Sequence, residues 1–373
     1  MSPVDRSEGK SVNKSDNQSD YLKDLISRAE GGDAHAQFFL GMQYQYGTGF
    51  PKSDTEAVKW YRKAAEQGNV NGQYSLAEMY RRGHGIQRSY EEAAKWYRKA
   101  SRCSMGAQNR LGVMYLHGYG VQQSYSEAVS WFRKAAESGL ADAQFNLGLM
   151  YYHGKGVSQS FEEAAIWIRK AADCNYPNAQ YVLGAMYAAG NGVQLSYNEA
   201  AKWYLKAADK GNADAQCNLG LLFELGNGVD QSFEEAVKWY CKAAEHGHSS
   251  AQYCLGDMYE NGKGVPRSFE KAAEWYLKSA DQGDPDARNC LGYCYYNGNG
   301  VEQSYEEAVM WWRKSADQGN ADAQYQLGTM YDEGEGVSQS SEEAVKWYRL
   351  AADQDHAEAQ LYLAMSYYDG DGV

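Results

Sequence analysis

The sequence predicts an all-α fold, an α/α solenoid in which each repeat contributes two helices that stack on the next pair. Three observations carry that reading. Tryptophan returns at Trp60, Trp96, Trp131, Trp167, Trp203, Trp239, Trp275, Trp311 and Trp347, at intervals of 36 residues with a single interval of 35. A G-x-G turn occurs ten times, from Gly47/Gly49 to Gly370/Gly372. Between these marks the apolar residues fall at helical spacing, and no alternating strand pattern is left to assign. A fixed period of about 20 to 50 residues marks a stacked array whose units bury their apolar faces on one another.

Each element follows from local chemistry. After the turn, a serine followed three residues later by glutamate, from Ser53/Glu56 to Ser340/Glu343, reads as a capping box. The serine oxygen takes an orphan amide and the carboxylate reaches back to the cap. In the helix that follows, helix B, Ala128, Trp131, Phe132 and Ala135 form one apolar stripe. It is predicted to end at a left-handed residue: Gly68, Gly139, Gly211, Gly247, Gly283 and Gly319, with Asn175 and Asp355 standing in. Helix A then runs from near Ala143 through Leu147, Gly148 and Tyr151 to the next turn. A glycine in mid-helix costs about 1 kcal/mol against alanine, so its recurrence implies a close helix contact.

The pattern A-Q-x-x-L-G-x-M-Y-x-x-G-x-G-V, followed by a capped A-x-x-W-Y-x-K-A-A helix, resembles the SLR (Sel-one-like repeat) family, a relative of tetratricopeptide arrays. The resemblance covers residues 21–373: an N-terminal half-repeat, nine full repeats and a final repeat ending after helix A. It implies a right-handed superhelix, helix A on its concave side, and an adaptor that binds a protein or peptide there. Members serve in signalling, host interaction and protein quality control. Two other functions compete: an immunity or inhibitor protein that blocks one basic toxin, and a hydrolase of the β-lactamase type.

Composition narrows the field. A net charge of −13 argues against nucleic acid as partner. The ten Trp and 32 Tyr fall mostly at repeated core positions and read as packing. The seven Cys are irregular and include no C-x-x-C, which fits a reducing compartment, and Cys254, Cys290 and Cys294 do not make a metal set. Residues 1–20 are polar and expected to be a disordered tail. Residues 21–31 resemble the end of a helix B, with Asp24 at the tryptophan position and Leu25 beside it. No signal segment and no run of 18 apolar residues is present, so a cytoplasmic location without membrane insertion is expected. At the other end Leu363 and Tyr367 occupy core positions with no following helix B, so self-association through that end is expected.

No cofactor is expected, and no catalytic constellation assembles. The G-x-G turns follow helices, not strands, and lack a P-loop lysine. The S-x-x-K match at Ser268/Lys271 sits at a capping position; Ser7/Lys10, Ser11/Lys14 and the S-D-N at Ser15 to Asn17 lie in the tail, and K-T-G is absent. His117 and His153 are one repeat apart, too far to share a metal. The turn His246-Gly247-His248 reads as solvated.

What varies over the constant frame is the outward stripe of helix A. The candidate protein-binding residues are Phe145, Leu149, Tyr152, Tyr253, Asp257, Glu260, Tyr293, Tyr296, Tyr325, Asp332, Glu333 and Glu335. Charge is graded along the chain: residues 1–140 hold 19 Lys/Arg and 15 Asp/Glu, residues 321–373 hold 2 and 11. That points to a partner with a basic segment docking toward the C-terminal repeats.

Overall fold

The computed structural model describes residues 14–372, and they form helices joined by turns, with no strand among them. Helix α1 spans Lys14–Glu30. The A helices are α2 (Ala34–Tyr46), α4 (Val70–Arg82), α6 (Met105–His117), α8 (Ala141–His153), α10 (Pro177–Ala189), α12 (Ala213–Leu225), α14 (Ser249–Asn261), α16 (Pro285–Asn297), α18 (Ala321–Glu333) and α20 (Ala357–Asp369). The B helices are α3 (Asp54–Glu66), α5 (Tyr90–Ala100), α7 (Tyr125–Glu137), α9 (Phe161–Asp173), α11 (Tyr197–Ala208), α13 (Phe233–Glu245), α15 (Phe269–Asp281), α17 (Tyr305–Ala316) and α19 (Ser341–Ala352). The chain divides into two compact units, one through Tyr176 and one from Pro177. In each, consecutive helices pack in chain order, the arrangement of an α/α solenoid.

At the start, α1 is the expected end of a helix B, with Leu25 buried and Asp24 exposed. The tail expected over residues 1–20 must be corrected at its inner edge, because α1 is helical from Lys14. A helix anchored by Leu25 and Ala29 extends backwards at little cost, each added residue contributing one backbone hydrogen bond. Residues 1–13 lie outside the described residues.

The serine caps form as predicted, and half of the capping box does not. Ser53 Oγ accepts from the Glu56 amide at 3.3 Å and Ser232 Oγ from the Glu235 amide at 3.2 Å. The serine amide, however, donates to a carbonyl near the end of the preceding helix A, Ser53 to Tyr44 and Ser232 to Phe223, both at 2.9 Å. The glutamate is left to pair with the lysine one turn on: Glu56 with Lys59 and Glu235 with Lys238, both at 2.5 Å. The serine thus ties helix A to helix B as well as starting helix B.

Two glycines explain the close packing. Mid-helix Gly148 faces Ile168 of the following helix B, and a Cβ there would lie 2.5 Å from its side chain; Gly256 meets the Tyr276 ring at the same distance. The equivalent glycines of the other A helices face the residue after the repeated tryptophan in the same way, and in α4 the place is taken by the buried Ala77. The second glycine of the turn, at φ +65° in Gly85, brings its backbone against Asp54 at the start of the preceding helix B, where a Cβ would lie 2.3 Å from the Asp54 carbonyl.

The core lies between helix A and helix B of each repeat, and the tryptophan of the next helix B closes it. Trp167 packs on Ala128, Phe132 and Leu147, Trp239 on Ala200, Tyr204 and Leu219, and Trp311 on Ala272, Tyr276 and Leu291. The outer ring face is covered by the lysine three residues on, Lys170 at 4.0 Å from Trp167 and Lys242 at 3.7 Å from Trp239. The glutamine of the A-Q pair satisfies a carbonyl at the end of the preceding helix B, as Gln73 does for Ala65 and Gln252 for Ala244, both at 3.2 Å.

Candidate functional site

The outward stripe of helix A is neither free surface nor core. In the N-terminal unit, Phe145, Leu149 and Tyr152 of α8 are half-buried. Phe145 lies 5.3 Å from the Tyr176 ring and Tyr152 lies 5.0 Å from Phe161. On α4 the stripe carries Glu78, whose carboxylate is gripped by Arg81 at 2.7 Å, Arg82 at 3.0 Å and Arg110 at 3.3 Å, with the Tyr97 hydroxyl donating to it. Burial works against ionisation there, but the hydrogen bonds from Arg81 and Tyr97 and the charges of Arg81 and Arg110 prevail, so the carboxyl sits below the usual range.

In the C-terminal unit the stripe on α12 carries Cys217, Leu221, which is 42% exposed, and Glu224, and beyond α12 it is acidic and aromatic. Glu260 of α14 is engaged by the frame, accepting from the Tyr276 hydroxyl at 2.6 Å. Asp257 pairs with Lys263 at 3.4 Å and accepts from Asn261 at 2.8 Å. Tyr253 lies against Tyr276, and Tyr325 stacks on His356 at 4.8 Å. Tyr293 and Tyr296 of α16 pack on Trp312, at 5.3 and 5.6 Å.

Asp332, Glu333 and Glu335, at the end of α18, come together beside Tyr296. Burial and the negative charges of Glu335 and Asp332 raise the Glu333 carboxyl above its ordinary value. Burial followed by the charges of Glu335 and Glu333 raises the Tyr296 hydroxyl likewise. One carboxylate oxygen of Glu335 is buried without a hydrogen-bond donor. Like charges held this close favour a cation arriving from outside.

The remaining candidate residues take positions in the helical frame. Ser268 Oγ accepts from the Lys271 amide at 3.3 Å and donates to Glu270 at 2.9 Å, while the Lys271 amine lies over Tyr259, so the pair works as a helix cap. Ser7 and Ser11 lie outside the described residues. Burial pushes the thiols of Cys217, Cys290 and Cys294 up to about 12 and that of Cys254 to about 11, which keeps them protonated and poor nucleophiles. Among the described residues no group of His, Cys, Asp and Glu is placed to hold a metal ion. The expectation that His248 is merely solvated is corrected: it caps α14, its Nδ1 accepting from the Ala251 amide at 3.2 Å while Nε2 lies 3.2 Å from Asp214. A short polar side chain at that position signals the cap, and histidine is not among the usual capping residues. At α20, Leu363 is half-buried and Tyr367 53% exposed.

Paired helices of 11 to 13 residues, a repeated packing frame and a variable outward stripe define a helical repeat scaffold. The chain belongs to the Sel1 repeat family, whose pattern matches residues 34–69, 70–105, 106–140, 141–176, 177–212, 213–248, 249–284, 285–320, 321–356 and 357–373. It is similar to c5321, a protective antigen present in uropathogenic Escherichia coli strains that displays an SLR fold, with 36% identity, a TM-score of 0.60 and coverage of 94% of this chain and 83% of that one. It is also similar to a Sel1 repeat protein from Oxalobacter formigenes, with 33% identity, a TM-score of 0.66 and coverage of 88% and 97%. No curated protein sequence matches it. Sel1-repeat proteins are generally protein-interaction scaffolds, and their fold is typically non-catalytic. Among the described residues no helix is long and apolar enough to cross a membrane.

Proposed function

We propose that this protein is a non-catalytic adaptor that holds a protein or peptide through a Lys/Arg-rich segment, on the helix A face of its C-terminal unit. The observation that carries the reading is the group of three carboxylates, Asp332, Glu333 and Glu335, beside Tyr296, with Tyr293 on the same helix α16 and no cation of the chain paired to them among the described residues. A lysine or arginine of a partner supplies the missing charge, and the tyrosines supply apolar contact and a ring face for the cation. The surrounding field agrees in sign: from Pro177 onward the sequence holds 14 Lys/Arg and 30 Asp/Glu, a net −16.

Pull-down from lysate with the full chain and with Asp332→Lys/Glu333→Lys tests this. The adaptor reading expects several basic partners that are lost together in the double variant. A single stoichiometric basic partner replaces it with the inhibitor reading, and retention of every partner by the variant removes the carboxylate group from the interface.

A further inference from the structure

One repeat breaks the pattern in two ways at one place. Six residues after each repeated tryptophan stands an acid, Glu66, Glu137, Asp173, Asp209, Glu245, Asp281, Asp317 or Asp353; after Trp96 it is Arg102. The same repeat has lost one residue, and with it the left-handed residue, glycine or its Asn175 and Asp355 stand-ins, that ends the other B helices. Helix α5 therefore stops at Ala100, and the chain reaches α6 through Ser101 to Ser104, with the Cys103 amide donating to the Ala100 carbonyl at 3.1 Å.

Beside this junction, along α5 and the start of α4, is a cavity of about 780 Å³ lined by Lys95, Trp96, Arg98, Lys99, Arg102 and Cys103. Lys95 is neutralised by Glu92 at 2.6 Å. The other cations have neutral partners or no carboxylate partner among the described residues. Arg98 donates to the Tyr115 hydroxyl at 2.9 Å, and Lys99 lies 3.9 Å over the Trp96 ring. Arg102 is exposed and has no carboxylate partner among the described residues. By contrast, the space beside Trp239 in the C-terminal unit is about 310 Å³ and mostly apolar, with Leu205, Leu219, Phe223 and Val229 in its wall. A cation at a helix C-terminus is favoured by the helix dipole, but that holds equally for the eight repeats that carry an acid there, so the dipole does not explain the reversal.

We infer that this cavity is a second docking site, independent of the helix A site proposed above, and that it takes an acidic peptide segment. Three uncompensated cations around one recess complement clustered carboxylates, and the volume has room for more than one side chain. A nucleic-acid backbone needs a stripe of cations following successive phosphates, whereas here Glu91 and Glu92 border the cations and the whole N-terminal unit, with 22 Lys/Arg and 19 Asp/Glu, is only +3.

Cys103 gives the test its readout, because it lines the cavity and is exposed, while Cys174 is exposed elsewhere in the same unit. A fluorescein-labelled poly-glutamate peptide is titrated into the full chain and followed by anisotropy, and the alkylation rates of Cys103 and Cys174 by iodoacetamide are measured with and without the peptide. Binding is expected to slow Cys103 and leave Cys174 unchanged. Arg102→Glu, which restores the residue type of the other repeats, is expected to weaken binding by about tenfold or more and abolish the protection, with Arg102→Ala intermediate. Helical content and unfolding midpoint accompany each variant, and the alanine variant decides the matter if the glutamate variant does not fold. Peptide binding without protection of Cys103, unchanged affinity in Arg102→Ala, or protection by inorganic phosphate or duplex DNA where the peptide gives none would each overturn the inference.

Discussion

The N-terminal and C-terminal units share one packing frame and differ in what they do with charge. Through Tyr176 acids and bases nearly balance, and the most buried carboxylate of the stripe, Glu78, is held by three arginines. From Pro177 the balance is strongly acidic, and the carboxylates at the end of α18 repel one another without a counter-cation among the described residues. Arg81 and Arg82, which close the ionic cluster in one unit, stand at the helix positions that Asp332 and Glu333 occupy in the open one of the other. A constant frame separates fold from surface, because the residues that set helix pairing are not those that set charge.

The largest expected effect breaks the frame itself. Gly256→Val drives a branched side chain into the Tyr276 ring and is expected to lower stability by about 3 kcal/mol. At the equivalent place in the N-terminal unit alanine is already accommodated, so Ala77→Gly is expected to cost only about 1 kcal/mol. Urea unfolding midpoints compare the two; equal losses would mean that the glycine contact does not set the helix spacing.

Capping comes next. Ser232→Ala removes the cap of α13 and is expected to cost about 1 kcal/mol. Helix α8 has Leu140 at its N-cap and no side-chain cap, whereas α12 has Asn212, whose side chain accepts from the Ala215 amide at 2.8 Å. Leu140→Asn is therefore expected to stabilise the N-terminal unit by about 0.5 kcal/mol, net of lost apolar contact. A destabilised variant in thermal unfolding would show that the leucine contact outweighs the cap.

The smallest effect is on pH dependence, and its sign differs between units. The Glu78 carboxyl is lowered in the folded state, so its contribution is present above the ordinary value of 4.5 and fades as pH falls through the folded value. The Glu333 carboxyl is raised, so stability is greatest below 4.5 and declines as pH rises through the folded value. Glu78→Gln is expected to flatten a rise of stability with pH, and Glu333→Gln to flatten a fall. Unfolding measured across the carboxylate range checks both slopes, and like signs would contradict the contrast.

The repeat, helix order, serine caps and mid-helix glycine contact were legible because each is a local rule reiterated along the chain. The surface is less legible, since a residue that varies can still serve the frame. Glu260 varies, yet it serves the Tyr276 hydroxyl, as Gln45 serves Tyr61 at 2.6 Å and Glu224 serves Tyr240 at 2.8 Å. Where the outward residue is Leu116, Tyr152 or Tyr296, the residue after the repeated tryptophan is Phe132, Ile168 or Trp312, none of which has a hydroxyl to satisfy. The two columns change together at these six repeats, but not where Ala188 stands opposite Tyr204, and the Tyr348 hydroxyl opposite Asp332 is buried without a partner. Arg102 was equally visible as a sign reversal in a column of acids, but it lies in the junction after α5, away from the outward stripe of helix A.

The most direct test of the open acidic cluster is hydrogen exchange of the full chain with and without a Lys/Arg-rich peptide. The account predicts slowed exchange in α16 and α18, no change in α4, α6 and α8, and loss of the effect in Asp332→Lys/Glu333→Lys. Slowed exchange confined to the N-terminal unit, or a pattern that survives the double variant, would contradict it.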